Sequence, residues 1–171
     1  MPDIYTSEGY EAVREAMNAS ARRLGRLPGG SFLVAIEIEG DGRSPYVAPD
    51  GERRFVVRID EGSCTWYREV DSADEEHRQT GGHLDYRFRG RASDFDALAA
   101  GLLDPIEAAL RGTISVRGDM RLLLRHAEHV KALLEAYATA VDTTWPLGRP
   151  PHEERPATGT APRGEGVPLS A

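Results

Sequence analysis

The residues that could do chemistry in this 171-residue chain form small and scattered groups. His126 and His129 lie three residues apart in a stretch predicted to be helical, so both could share one helix face. A zinc site usually takes three or four ligands, and the sequence contains neither an HExxH nor a CxxC motif. We therefore interpret both histidines as solvated helix side chains and expect no metal site.

A polar segment from Asp74 to His83 combines carboxylates with two histidines, the groups that a general base or a metal site would use. It ends in two glycines before His83 and lacks the spacing of an EF-hand loop. We interpret the surrounding residues 71–82 as a solvated loop. The single cysteine, Cys64, lies in a predicted strand without a cationic neighbour, which predicts a buried and inert thiol.

Motifs for phosphate binding, dinucleotide binding and a serine nucleophile are missing from the sequence. There is no P-loop, no G-x-G-x-x-G and no G-x-S-x-G pattern. We therefore expect no cofactor.

The composition favours an acidic globular protein with a real core. Hydrophobic residues make up 40% of the chain and charged residues 29%. The net charge of −7 argues against a nucleic-acid partner, which usually needs a basic face. No apolar run approaches the ~18 residues of a membrane-spanning helix, and the first residues do not resemble a signal peptide. We expect a cytoplasmic protein without stable membrane insertion, and the preference for arginine over lysine suggests a bacterial source.

The first half of the chain predicts one helix and a set of strands. Residues 7–27 have the apolar period of an amphipathic helix. Residues 31–39, 53–60 and 63–70 alternate apolar and polar side chains, and residues 83–90 do so again after the polar segment. Short turns between the first three strands predict an antiparallel meander.

Two short helices follow, with marked start and stop signals. Ser93 is positioned to cap the first, and Asp104 with Pro105 opens the second. Each ends at a glycine, Gly101 or Gly112, which can adopt the left-handed conformation that closes a helix.

A short strand at 113–118 and a long helix from Asp119 to about Val141 complete the predicted body. The fold class is therefore α+β, with an antiparallel sheet of about five strands covered on one face by helices. Six of the 11 prolines lie beyond this helix. We predict a domain at 1–141 and a Pro/Gly-rich C-terminal tail at 142–171.

The second half of the chain resembles the sterol carrier protein 2 family, from about Tyr86 to Leu134. That family typically has a glycine, two variable positions, Asn/Asp-Pro, an alanine, a glycine, an alternating strand, and Gly-Asp or Gly-Asn before the last helix. The matching positions here are Gly101, Asp104, Pro105, Ala108, Gly112, Ile114, Val116, Gly118 and Asp119.

The resemblance implies a tunnel between the sheet and the helices that holds an acyl chain, a sterol or a similar hydrophobic small molecule. The ligand-binding residues that it implies are Phe95, Leu98, Leu102, Leu103, Ile106, Leu110, Leu123 and Leu133. Without the resemblance, the same leucine pattern would indicate ordinary core packing.

Three functions remain open from the sequence. The first is binding or carrying of a lipid, sterol-like or polyketide-like molecule, with no catalytic residue. The second is an enzyme such as a cyclase or dehydratase of a bacterial biosynthetic pathway, which would need a polar side chain in the pocket from among Tyr67, Tyr86, Asp85 and His126. The third is an interaction module whose proline-rich tail recruits a partner. The sequence does not determine the oligomeric state.

Overall fold

The computed structural model describes residues 3–23, 29–128 and 144–152. These residues form five helices and five strands in an α+β arrangement, as predicted. In chain order the elements are α1 (Ser7–Arg23), β1 (Ser31–Glu39), β2 (Glu52–Asp60), β3 (Ser63–Val70), α2 (Ala73–Thr80), β4 (Tyr86–Arg91), α3 (Ala92–Ala99), α4 (Pro105–Arg111), β5 (Ser115–Gly118) and α5 (Met120–Arg125).

The five strands form one mixed sheet in the order β3-β2-β1-β4-β5. The meander of β1, β2 and β3 is antiparallel, as predicted, and β4 pairs antiparallel with β5. However, β4 does not continue the meander beside β3. It returns to the other side of β1 and pairs with it in parallel, from Val34 beside Tyr86 to Glu39 beside Arg91. A parallel pair needs a crossover connection, and α2 lies in it.

The interpretation of residues 71–82 as a loop was wrong, because α2 lies there. The side chain of Ser72 accepts a hydrogen bond from the Glu75 backbone N–H (3.2 Å), and the Glu75 carboxylate accepts one from the Asp71 N–H (2.7 Å). Gly81 then ends the helix in the left-handed conformation. The reciprocal capping pattern was visible in the sequence. The helix escaped prediction because it has no apolar stripe.

The start and stop signals around α4 and α5 are confirmed. Asp104 accepts a hydrogen bond from the Glu107 N–H (2.9 Å), Pro105 begins α4, and Gly112 ends it with a φ of +75°. The Asp119 side chain accepts bonds from two backbone N–H groups of α5.

Two predicted helix boundaries need correction. Ser93 does not cap α3, because this helix already begins at Ala92, and the Ser93 hydroxyl bonds Asp41 instead. The long helix predicted from Asp119 is interrupted, since α5 ends at Arg125 and a turn follows. Its remaining part, from residue 129 on, and the end of the first predicted helix, at 24–27, lie outside the described residues.

The alternation of the strands gives the sheet one apolar face. Ile36 on β1 lies beside Phe55 on β2 and Phe88 on β4, and Phe88 lies beside Val116 on β5. Helices α1, α3, α4 and α5 pack over this face, each contributing side chains to a common apolar space. The expected helix layer on one face of the sheet is therefore present.

The opposite face carries ion pairs, and α2 covers part of it. Glu37 on β1 is only 7% exposed, and its carboxylate lies 3.2 Å from the Arg54 guanidinium and 3.4 Å from that of Arg87. Arg87 also bonds Glu76 of α2 at 2.8 Å. A carboxylate in such a position is stable only when it is paired. These pairs explain how a helix without an apolar stripe docks on the sheet.

Candidate functional site

A cavity of about 240 Å³ lies between the apolar face of the sheet and the helices. All five strands and four of the helices contribute to its wall. The strand residues are Phe32, Val34, Ile36, Ile38, Phe55, Val57, Ile59, Tyr67, Tyr86, Phe88 and Val116. The others are Tyr5, Val13, Met17, Phe95, Leu98, Pro105, Ala109, Ile114, Leu122, Leu123 and His126. The described wall thus contains no aspartate, glutamate, lysine or arginine.

Helix α4 leaves room for the cavity because it turns its small residues inward. Pro105 and Ala109 line the cavity, and Ala108 between them is 1% exposed. The larger Ile106 and Leu110, also four residues apart, border a separate shallow groove on the outer side with Ala127. Small side chains on the inner face leave the space between the helix and the sheet unfilled.

The eight residues that the sequence predicted as ligand-binding are divided by the structure. Phe95, Leu98 and Leu123 line the cavity. Leu102 is 57% exposed just after α3, and Leu110 is 66% exposed on the outer side of α4. Ile106 and Leu103 are half-buried and are not in the described wall. Leu133 lies outside the described residues.

Sequence reasoning missed the strand half of the wall. Val34, Ile36, Val57, Phe88 and Val116 all face the cavity. Their alternation in the sequence predicts a buried strand face and no more. Period-two alternation identifies a buried face and does not distinguish a filled core from a cavity wall.

Polar atoms in the wall come from three tyrosines and one histidine among the described residues. The Tyr86 hydroxyl donates to the Asp119 backbone carbonyl at 2.8 Å, and the Tyr5 hydroxyl donates to the Asp96 carboxylate at 2.5 Å. Burial raises the pKa of Tyr86, and the nearby charge of Asp119 adds to this effect. The Tyr86 hydroxyl therefore stays protonated at neutral pH and is already bonded to the protein.

Gly118 allows Tyr86 to take this position. Its φ is +141°, and a Cβ at Gly118 would overlap the Tyr86 ring and the Asp85 carbonyl oxygen. Only glycine fits this close approach between β4 and β5. The glycine of the Gly118-Asp119 pair thus makes room for a cavity-lining ring, and the aspartate caps the next helix.

The enzyme hypothesis needs a polar side chain in the pocket, and three of its four candidates reach the cavity. Tyr67, Tyr86 and His126 line it. Asp85 does not, because its carboxylate accepts a hydrogen bond from the Leu33 N–H (2.8 Å) and lies 3.2 Å from the His83 imidazole. Within residues 3–23, 29–128 and 144–152, no group of three or more His, Cys, Asp or Glu side chains could hold a metal ion.

Cys64 is fully buried beneath α1. Its backbone N–H donates to the Asn18 side chain (2.7 Å), and its carbonyl accepts from the same side chain (2.9 Å). Burial raises the pKa of the Cys64 thiol to about 11. The reactive thiolate is therefore scarce at neutral pH.

We expect Cys64 of the native chain to react with a disulfide reagent such as DTNB at least about a hundredfold more slowly at pH 8 than in the unfolded chain, because both ionisation and access are suppressed. Absorbance of the released thiolate measures the rate, with the chain in guanidinium chloride as the control. Rapid labelling of the native chain would contradict the buried position.

The helices of the described residues include none that is both long and apolar enough to cross a membrane.

Comparisons with known proteins agree with this architecture. The conserved hypothetical protein TT1886 from Thermus thermophilus, described as a candidate sterol carrier protein, superposes with a TM-score of 0.62 at 18% identity. The match covers 85% of this chain and 94% of that one. A crystal structure of sterol carrier protein 2 gives a TM-score of 0.62 at 18% identity, covering 80% of this chain and 98% of the other. No curated protein matches the sequence.

The fold is therefore that of the sterol carrier proteins, a five-stranded sheet with helices packed over it. The model of the SCP-2 sterol transfer family matches residues 22–131, more than half of the chain. The chain belongs to this family. The family expected from the glycine, proline and aspartate pattern is confirmed.

Proposed function

We propose that this chain binds and carries a hydrophobic small molecule in the cavity between the sheet and the helices. The observation that supports this most directly is the character of the described wall, which is apolar or aromatic apart from His126 and the tyrosine hydroxyls. Water finds few hydrogen-bond partners in such a space, whereas an apolar ligand lowers its free energy by moving there from water.

The ligand contacts in this proposal come from both layers. Phe95, Leu98 and Leu123 contact the ligand from the helix layer. Ile36 and Phe88 are among the residues that contact it from the sheet. Leu102 and Leu110 are left out because their side chains are exposed to solvent.

The energetics fit an aliphatic or polycyclic ligand of moderate affinity. Burial of ~12 methylenes contributes of order 10 kcal/mol, at ~0.8 kcal/mol each. The cost of association and of ordering the ligand removes much of this gain. We therefore expect micromolar binding.

The test uses the purified full-length chain in two measurements. Native mass spectrometry and organic extraction would identify a ligand that copurifies with it. Displacement of dansyl-undecanoic acid by unlabelled fatty acids and by a sterol would then measure affinity. We expect saturable displacement by at least one of these apolar ligands. No bound mass and no displacement by any of them would overturn the proposal.

A second candidate is an enzyme that orients a hydrophobic intermediate, and the presence of Tyr67, Tyr86 and His126 in the wall favours it. This candidate requires that the bound molecule be chemically changed. Incubation of the extracted ligand with the chain, followed by mass spectrometry, distinguishes the two. An unchanged ligand mass and structure supports carriage alone.

A further inference from the structure

The buried carboxylate of Asp96 joins three distant parts of the chain. Asp96 lies on α3 and is 0% exposed. One oxygen accepts the Tyr5 hydroxyl at 2.5 Å, and the other accepts the Ser44 hydroxyl at 2.6 Å and lies 3.0 Å from Nε2 of His152. A carboxylate with no access to water needs such partners, so the three side chains hold one another in place.

Tyr5 lies at one end of the cavity wall. Its ring lines the cavity and packs against the cluster that contains Ile38 and Phe55. Ile38 lies near the last residue of β1, whereas Phe32, near the first, faces Tyr86 at the far end of the wall. The apolar wall therefore runs along β1, and Tyr5 lies at its Ile38 end.

The position of Tyr5 depends on its surroundings. Its backbone has a φ of +59°, which a residue with a bulky side chain adopts only when the surrounding structure requires it. The Arg53 guanidinium lies 4.8 Å from the centre of the Tyr5 ring, on its face, and the Tyr46 ring lies 5.6 Å away. These contacts and the bond to Asp96 fix the ring at the end of the cavity.

Residues 144–152, which we call the strap, reach both Tyr5 and Asp96. The Thr144 carbonyl accepts a bond from the Ile4 N–H at 3.1 Å, next to Tyr5. Trp145 packs edge-on against Tyr46 at 5.6 Å, and the Tyr46 hydroxyl donates to the Gly148 carbonyl at 2.9 Å. The strap ends at His152, whose side chain is 9% exposed beside Asp96.

Both Tyr5 and the strap lie outside residues 22–131, which match the family. We propose that Tyr5 is a stop that limits the length of the apolar ligand, and that the strap latches this stop through Asp96. The inference rests on the proposed function of the cavity. A ligand that extends past the Ile38 end of the wall displaces the Tyr5 ring and breaks its bond to Asp96, a carboxylate that His152 holds in place.

The test measures ligand length preference in the full-length chain. The assay follows the displacement of dansyl-undecanoic acid by saturated fatty acids from decanoate to docosanoate. It is run on the native chain and on the variants Tyr5→Ala, Tyr5→Phe and His152→Ala. His77→Ala, at an exposed position on α2 on the other face of the sheet, is the matched control. Circular dichroism verifies that each variant is folded.

We expect Tyr5→Ala to raise the affinity for the longer acids by about tenfold relative to the shorter ones, the gain from burying roughly two more methylenes. Tyr5→Phe, which keeps the ring but loses the hydroxyl, and His152→Ala should shift the preference in the same direction by a smaller factor. His77→Ala should leave the wild-type profile unchanged.

Trp145 offers a second readout, since Trp66 is the other tryptophan of the chain. In a Trp66→Phe background, long acids should shift the Trp145 emission to longer wavelength as the strap moves, and short acids should not. Coupling between two sites is reciprocal, so a strap that holds the stop must respond when the stop is displaced.

The outcomes separate the two proposals. If the wild-type chain binds none of the acids and no sterol, the proposed function fails and this inference fails with it. If the acids bind but Tyr5→Ala leaves the length profile unchanged, Tyr5 is not a stop. If Tyr5→Phe shifts the profile while His152→Ala and the Trp145 emission do not respond, the latch through the strap is wrong.

Discussion

Replacing Ala109 with tryptophan is expected to reduce the affinity for an apolar ligand at least about a hundredfold, close to 2.7 kcal/mol of binding free energy. Ala109 lies on the inner face of α4 and lines the cavity of about 240 Å³. An indole added there extends into the space that the ligand would occupy. Displacement of the fluorescent fatty acid measures the loss directly.

The neighbouring residue supplies the control for this substitution. Leu110 is 66% exposed on the outer side of the same helix, so Leu110→Trp adds an indole to the same helix outside the cavity. It should leave the affinity within about twofold, since surface substitutions are usually nearly neutral. Thermal unfolding of both variants checks that α4 remains folded. Unimpaired binding by Ala109→Trp would place the ligand elsewhere.

Replacing Phe55 with alanine is expected to lower the free energy of unfolding by about 3–5 kcal/mol, the usual cost of removing a large buried ring. Phe55 is 1% exposed on β2, beside Ile36 of the central strand β1. Its ring lies 5.3 Å from that of Tyr10, 6.4 Å from that of Tyr5 and 6.0 Å from that of Tyr67. The substitution removes three aromatic contacts and also the apolar surface that the Phe55 ring buries.

Urea unfolding monitored by circular dichroism measures this loss. Phe32→Ala serves as the comparison, because Phe32 faces the same cavity from the start of β1 but is only half-buried. It should cost clearly less than Phe55→Ala. An equal loss of unfolding free energy in both variants would contradict the central place in the core that the burial of Phe55 indicates.

The parts of the fold that follow from local chemistry could be predicted from the sequence. Asp104 with Pro105, Gly112 and Asp119 mark helix ends by bonds and dihedral angles within a few residues. The strands follow from alternation along β1 and β2. These signals need no knowledge of distant residues.

The place of β4 beside β1 could not be predicted in this way. Strand pairing joins residues far apart in sequence, and it depends on the crossover through α2. That helix docks through Glu76 and its bonds to Arg87, so its partners are charges rather than an apolar stripe. A search for hydrophobic periodicity passes over such a helix.

The candidate site was predicted only in part for a related reason. Helix α4 has apolar residues on two sides, and large residues were expected to face the sheet. The side with Pro105 and Ala109 faces inward instead, while Ile106 and Leu110 face out. The choice depends on how closely the helix approaches the sheet, which is a property of the assembled fold.

The parallel pairing of β1 with β4 also has a consequence for folding during synthesis. The meander of β1, β2 and β3 can pair as soon as these strands leave the ribosome, since hairpin contacts are local. The strand that completes the other side of β1, and the helices α3 to α5 that cover the sheet, are made only afterwards. Until then Val34, Ile36 and Val57 lack the cover that these helices provide. The surface that later encloses the cavity is thus the surface at which an incomplete chain is most prone to aggregate or to be held by a chaperone.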